Sequence, residues 1–217
     1  MTIFSNRTFQ RLKHALVYGF AVETVGRRLS RWGFVIRPLY VFKEGLSDRE
    51  PKDFGLSFRE YETTFLTSDD MKVLDRIDGR DTTELAMRDL IREGSKCLGI
   101  KIDGKTAGFT WCRFDIFGHP FTKAFTLREN EAYLFDMYVL KAYRGMNIAP
   151  FLRYRCYEEL AKMGRTVLYS YSDVSNASAV RFKRKLGARV ISLRLYIRLG
   201  KFRWNWKLKT YTVSVRY

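Results

Sequence analysis

The chain has 217 residues, with 40 Lys or Arg against 23 Asp or Glu, a formal net charge of +17. Hydrophobic residues make up 46% and aromatics 16%, which excludes wholesale disorder and allows a sizeable core. Cys97, Cys112 and Cys156 lie far apart without a CxxC pair, which disfavours a disulfide framework and a zinc ribbon, and His14 and His119 are the only histidines, little material for a histidine metal centre. No metal is expected, and the cysteine usage suits a reducing cytoplasm.

The length favours a single core. The charge is unevenly spread: residues 1–50 sum to +5, residues 51–136 to −3 and residues 137–217 to +15. Basic ends around a mildly acidic middle imply an anionic partner held mainly by the C-terminal part. A nucleic acid, a lipid surface and a small polyphosphate all fit that description.

In chain order, residues 1–35 read as a basic helical extension. Phe9, Leu12, Leu16 and Phe20 share one helical face. Val22, Val25, Leu29 and Trp32 fall on nearly the opposite face, so a break at Gly19 or Gly26 is expected. The apolar run over residues 15–22 is too short to span a bilayer and shows no cleavage site. With Arg27, Arg28 and Arg31 beside it, the extension suits peripheral contact with an anionic membrane at its inner face, packing on its own domain, or a homodimer contact.

Pro38 is read as opening a strand over 39–42, and 56–61 as a second short one. Ser68 or Asp69 caps a helix to about Ile77, and Asp81 or Thr82 caps another ending before Gly94. Strands over 97–102 and 106–114 flank Asp103-Gly104, a tight hairpin signal. Residues 115–130 read as a long loop. Residues 133–140 are apolar on both faces, as a central buried strand requires. A loop over 141–149 leads to a helix from Pro150 to Gly164, a strand over 166–171 and a helix over 175–186. Two alternating strands follow, with the stripe Phe202, Trp204, Trp206 and Leu208 read as core. The order describes an α+β domain, a mostly antiparallel sheet with one βαβ crossover, over residues 36–217.

The chemistry is concentrated in residues 138–150. This stretch follows a buried strand and opens a helix, where unpaired backbone N–H groups and the positive end of the helix dipole favour a phosphate. Gly145 lets the backbone approach a ligand, and Ala149 does so less permissively. The run Arg144-Gly145-Met146-Asn147-Ile148-Ala149 resembles the Gln/Arg-x-x-Gly-x-Gly/Ala signature of the GNAT superfamily of N-acetyltransferases. Asn147 replaces the middle glycine, and asparagine tolerates a positive φ better than most residues. Asn176-Ala-Ser-Ala179 followed by Leu186-Gly187 is similar to the family's second block, and the likeness covers about residues 95–212.

The resemblance implies a GNAT-like mixed, mostly antiparallel seven-stranded sheet with helices on both faces. It also implies acetyl-coenzyme A as co-substrate. Pantetheine would lie along Met137, Tyr138 and Val139, with a backbone N–H near Tyr138 or Val139 holding the thioester oxyanion. Arg144, Gly145, Met146, Asn147, Ile148 and Ala149 would cradle the pyrophosphate, and Asn176 would meet the pantetheine arm or hold the loop before the last helix. Asp136, a carboxylate in an apolar strand, is the first candidate base because burial would raise its pKa, and Glu131 is the second. Where many relatives place a tyrosine seven residues after the asparagine, this chain has Lys183, a candidate acid that equally fits a solvated basic face. Cys156, His14 and His119 read as core or surface.

The leading function is acyl transfer from acyl-coenzyme A to a small-molecule primary amine, with an amino sugar of surface-polysaccharide synthesis as one acceptor. Alternatives are an acyl-carrier-protein-dependent N-acyl amino acid synthase and a basic module binding nucleic acid or a membrane surface. Nucleic acid is disfavoured because it leaves the phosphate loop unexplained.

Overall fold

The computed structural model describes residues 34–45, 61–77, 82–118 and 124–211. Their elements are β1 (Phe34–Glu44), β2 (Tyr61–Phe65), α1 (Met71–Asp75), α2 (Glu84–Arg92), β3 (Lys96–Ile102), β4 (Lys105–Arg113), β5 (Ile116–Phe117) and β6 (Phe125–Thr126). There follow β7 (Glu131–Val139), a 3₁₀ turn (Lys141–Tyr143), α3 (Ile148–Lys162), β8 (Val167–Asp173), α4 (Ala177–Lys185), β9 (Arg189–Leu199) and β10 (Phe202–Thr210). Eight strands form one sheet in the order β10-β9-β1-β8-β7-β4-β3-β2, and β5 and β6 form a separate ribbon. The sheet is therefore eight-stranded rather than seven, because β2 and β10 both pair along opposite edges. β7 and β8 are parallel and joined through α3, the expected crossover; the other pairs are antiparallel.

The β3–β4 hairpin follows from its turn. Asp103 and Gly104 have φ of 50° and 72°, the two positive values that a two-residue turn matched to strand twist requires. α2 starts at Thr83, whose side chain accepts from the Ala86 N–H, one residue past the expected cap. α3 packs Ile148, Leu152, Cys156 and Leu160 onto Leu98, Ile100 and Leu134. On the other face, Met71, Leu74 and Met87 of the first two helices bury Phe109 and Trp111. Cys156 is core, as read.

Several expectations are corrected. β1 begins at Phe34, so the last two residues assigned to the extension are strand, and residues 1–33 lie outside those described. Pro38 sits within β1. Its carbonyl accepts from the Val174 N–H, so its missing donor faces the place where β8 ends, and no ladder bond is lost. The second short strand is β2; residues 56–60, like Asp81, His14 and His119, lie outside the described set. The loop over 115–130 contains the β5–β6 ribbon, whose buried Phe117 packs on Tyr133 and Tyr171. The aromatic stripe is not core. Phe202, Trp204, Trp206 and Leu208 are exposed, as is nearly every residue of β10 on either face, and the rings stack along the strand at 5.9 and 6.4 Å.

On β4, a Cβ added at Gly108 would lie 2.9 Å from the Tyr138 carbonyl oxygen of β7. Backbone cannot give way as a side chain can. Gly108→Ala is expected to cost about 1–3 kcal/mol in urea unfolding; an unchanged midpoint would show that the two strands are not in this contact.

Candidate active site

β7 pairs with β8 only from Glu131 to Leu134, opposite Val167 to Ser170. Beyond that point β7 stays with β4 while β8 diverges, and the sheet opens. The β4–β7 register slips by one between Phe109 and Trp111, and Asp136 takes φ of 43°. This bulge reverses the alternation of faces: Leu134, Met137 and Val139 face α3, whereas Phe135 and Tyr138 face the first two helices.

The Leu140 N–H donates to the Ala107 carbonyl at 2.9 Å, on the β4 side. Alternation along the strand then directs the Tyr138 amide to β4 and the Val139 amide into the opening. The Val139 carbonyl faces the same way and accepts from Arg144 Nε at 3.2 Å. Arg144 also lies over the Tyr138 ring, 5.4 Å from its centre.

The loop after β7 turns at Gly145 (φ 83°) and Asn147 (φ 56°), the left-handed geometry for which asparagine was suited. α3 begins at Ile148, two residues before the expected Pro150. Its first bond runs from the Phe151 N–H to the Asn147 carbonyl, and Pro150 has no N–H. The amides of Ile148 and Ala149 thus stand at the positive end of a 15-residue helix. The Ile148 side chain is buried, so only its backbone serves the loop. Gly145 and Met146 are exposed beside it.

A cleft of about 250 Å³ occupies the opening, lined among others by Leu134, Asp136, Met137, Arg153, Asn176 and Lys183. Asp136, the expected buried carboxylate, is exposed there because the bulge turns it outward. Glu131 is not in the cleft. It sits at the closed end of the ladder, where its carboxylate accepts from the Tyr169 hydroxyl at 3.0 Å and the Arg128 N–H at 2.9 Å. Asn176 caps α4, its side chain accepting from the Ala179 N–H at 3.0 Å, which is the loop-holding alternative.

Lys183 departs most from a solvated basic face. Arg184 and Lys185 are exposed, but Lys183 is buried. Its Nζ donates to Ser170 Oγ at 2.6 Å and to the Tyr171 carbonyl at 2.8 Å, and stands 3.5 Å from Glu44 Oε1. Burial pulls its pKa down to about 8, partly opposed by Glu44. Glu44 accepts from the Tyr157 hydroxyl at 2.6 Å and from the Ser170 hydroxyl. Burial alone would push the Glu44 carboxyl up, but Arg153, Lys183 and these two hydrogen bonds hold it below its ordinary value.

Sequence reasoning missed Glu44, Arg153, Tyr157 and Ser170. The available signal was a charge out of place: Glu44 closes an apolar strand, and Arg153 interrupts the apolar face of α3. Among the described residues no helix is long and apolar enough to cross a membrane.

The acetyltransferase (GNAT) family model matches residues 58–188, well over half of the chain. The chain belongs to the GNAT family. That family's co-substrate is acetyl-coenzyme A, and the split, loop and helix described above lie within the matched span. Among solved structures, a Drosophila protein has a TM-score of 0.55 at 16% identity, covering 83% of this chain and 57% of its own. A GNAT-family protein of Novosphingobium aromaticivorans has 0.53 at 23%, covering 77% and 66%. A GCN5-related N-acetyltransferase of Sphaerobacter thermophilus has 0.54 at 16%, covering 82% and 55%. The chain thus spans less than two thirds of each of these structures, and at these identities the likeness is one of fold. No curated protein matches the sequence.

The left-handed residue before α3 gives a direct test of the loop. Asn147→Gly is expected to keep wild-type stability within about 0.5 kcal/mol, whereas Asn147→Val loses about 1–2 kcal/mol in denaturant unfolding. Equal losses for both would show that the loop does not adopt this conformation.

Proposed function

We propose that this GNAT chain transfers an acetyl group from acetyl-coenzyme A directly to a small-molecule primary amine. The observation that carries the reading is the parting of β7 from β8, with the Val139 amide in the opening and the Arg144–Ala149 loop at its end. The thioester supplies an activated acyl carbon and a good leaving group. The edge of β7 at Met137 and Val139 faces the opening, where an extended pantetheine arm would lie as an added strand does. The Val139 N–H is placed to hold negative charge developing on the thioester oxygen.

The amides at the start of α3, with Arg144, suit the pyrophosphate. Asn176 keeps α4 in place beside the cleft. Asp136 is exposed at the cleft and takes the amine's proton, directly or through water. The amine nitrogen bonds to the acyl carbon, the carbon–sulfur bond breaks, and the sulfur leaves as thiolate. Lys183 supports that thiolate by its charge. The acceptor side suits an amine, with amino sugars among the candidates.

Saturating acetyl-coenzyme A or free coenzyme A is expected to raise the melting temperature, by the equivalent of about 2.7 kcal/mol at a hundredfold excess over Kd. Thiol release across amines, amino sugars and amino acids then identifies the acceptor. No thermal shift with any acyl thioester would refute the reading.

Lys183 gives the pH dependence. Its ammonium is present below about pH 8 and lost above it. The rate is therefore expected to fall as pH rises through about 8, and Lys183→Arg, charged throughout, should lose that limb. An unchanged limb in the arginine variant would remove Lys183 from the step.

A further inference from the structure

Beyond the cleft the sheet runs on into β1, β9 and β10, where the acyl-transfer reading gives the side chains no task. Directly paired residues of antiparallel strands share a face, so the register sorts these side chains. Phe34 lies opposite Leu199, and Leu199 opposite Phe202. The next rows on the same face are Ile36, Ile197 and Trp204, then Pro38, Leu195 and Trp206. The resulting grid is wholly apolar, and it is open. Leu199, Phe202, Trp204 and Trp206 are exposed, Phe202 at 67%, and the remaining members are half-buried. A lone exposed apolar side chain is ordinary, but a contiguous patch holding two tryptophans marks a contact site.

The surroundings of the grid are cationic. Its fourth row is Tyr40, Leu193 and Lys209, and Lys201 stands in the turn beside Phe202. Tyr40 also borders a cavity of about 560 Å³ with Arg181, Arg184 and Lys185 of α4. On the reverse face Arg198 lies opposite Arg203, and Arg194 opposite Lys207. Residues 174–217 contain no Asp or Glu. Residues 1–33, which join the sheet at Phe34, hold six Lys or Arg against one Glu. A second copy of the chain, or its own N-terminal residues, would thus set cation against cation. A nucleic acid matches the charge, but base stacking uses rings, and Leu195, Ile197 and Leu199 make the central column of the grid aliphatic. A bilayer with anionic headgroups meets both demands. Its interface takes aliphatic and indole groups together, and its phosphates attract Lys and Arg.

We propose that this face of β1, β9 and β10 is the surface by which the chain docks on an anionic lipid bilayer. Phe202, Trp204 and Trp206 enter the headgroup layer, and Lys201, Lys209 and the α4 cations meet lipid phosphates around them. β10 leads the contact, since it is the outermost strand and nearly all of its residues are exposed. None of the grid residues lines the cleft, so docking leaves the proposed chemistry untouched and stands independently of it.

The test is co-sedimentation of the full chain with two kinds of vesicle, phosphatidylcholine alone and phosphatidylcholine mixed with an equal share of phosphatidylglycerol. Partition onto the mixed vesicles is expected to be about tenfold or more stronger, and to weaken as salt is added. Trp204→Ser with Trp206→Ser should lower it about tenfold or more. Lys201→Gln with Lys209→Gln should lower it about tenfold, on the mixed vesicles only. All four side chains are exposed, so both pairs are expected to keep the wild-type melting temperature. If the tryptophan pair does not fold, the lysine pair decides. No binding to the mixed vesicles, equal binding to both kinds, or binding that either folded pair leaves unchanged overturns the proposal. Self-association or single-stranded RNA binding, found in place of vesicle binding and abolished by the tryptophan pair, gives the face to a second copy or a nucleic acid and overturns it equally.

Discussion

Two parallel strands that separate after Leu134 and Ser170 leave main-chain groups of β7 without a partner in the middle of a sheet. Unpaired strand edges of this kind are costly when buried and recruit extended partners when accessible. The bulge at Asp136 keeps β7 fastened to β4 while it turns away from β8, and it fixes which amides enter the opening. The crossover then brings the positive end of α3 to the same place, because a parallel pair requires a long connection returning over the sheet. The cleft, the outward-facing Val139 amide and the placement of the Arg144–Ala149 loop are consequences of that one separation.

The buried charges below the cleft answer a different demand. β1, β8, α3 and α4 meet there through Glu44, Ser170, Arg153, Tyr157 and Lys183, so the cluster ties the helix that follows the Arg144–Ala149 turn to the far side of the split. Breaking one partner of such a buried set is strongly destabilising, whereas the intact set adds little net stability. It links α3 and α4 to β1 and β8 through one connected set of polar contacts.

Local signals announced the parts of the fold that depend on local chemistry. Asp103-Gly104 marked a hairpin, the 133–140 run a central strand, observed over 131–139, and Asn147 a left-handed turn before a helix. The bulge at Asp136 left no such trace, since it arises from mismatch between two strands distant in sequence. Lys183 within Lys183-Arg184-Lys185 reads as solvated because periodicity alone does not reveal which of three cations meets a buried carboxylate from β1. The Phe202–Leu208 alternation was misjudged for the same reason: it marks a two-faced strand and says nothing of whether a layer lies above it.

The excess positive charge also acquires a place. Arg198 pairs across from Arg203 and Arg194 from Lys207, so these cations share one face of β9 and β10, the face on which Arg37 of β1 reaches the cleft. They are not gathered at the α3 loop. The account rests on the open edge of β7 as the seat of the acyl thioester. Amide hydrogen exchange with and without acetyl-coenzyme A tests it most directly. Slowed exchange at Met137, Val139 and the amides of residues 145–149 is predicted; binding that leaves these amides unchanged and protects another surface would contradict it.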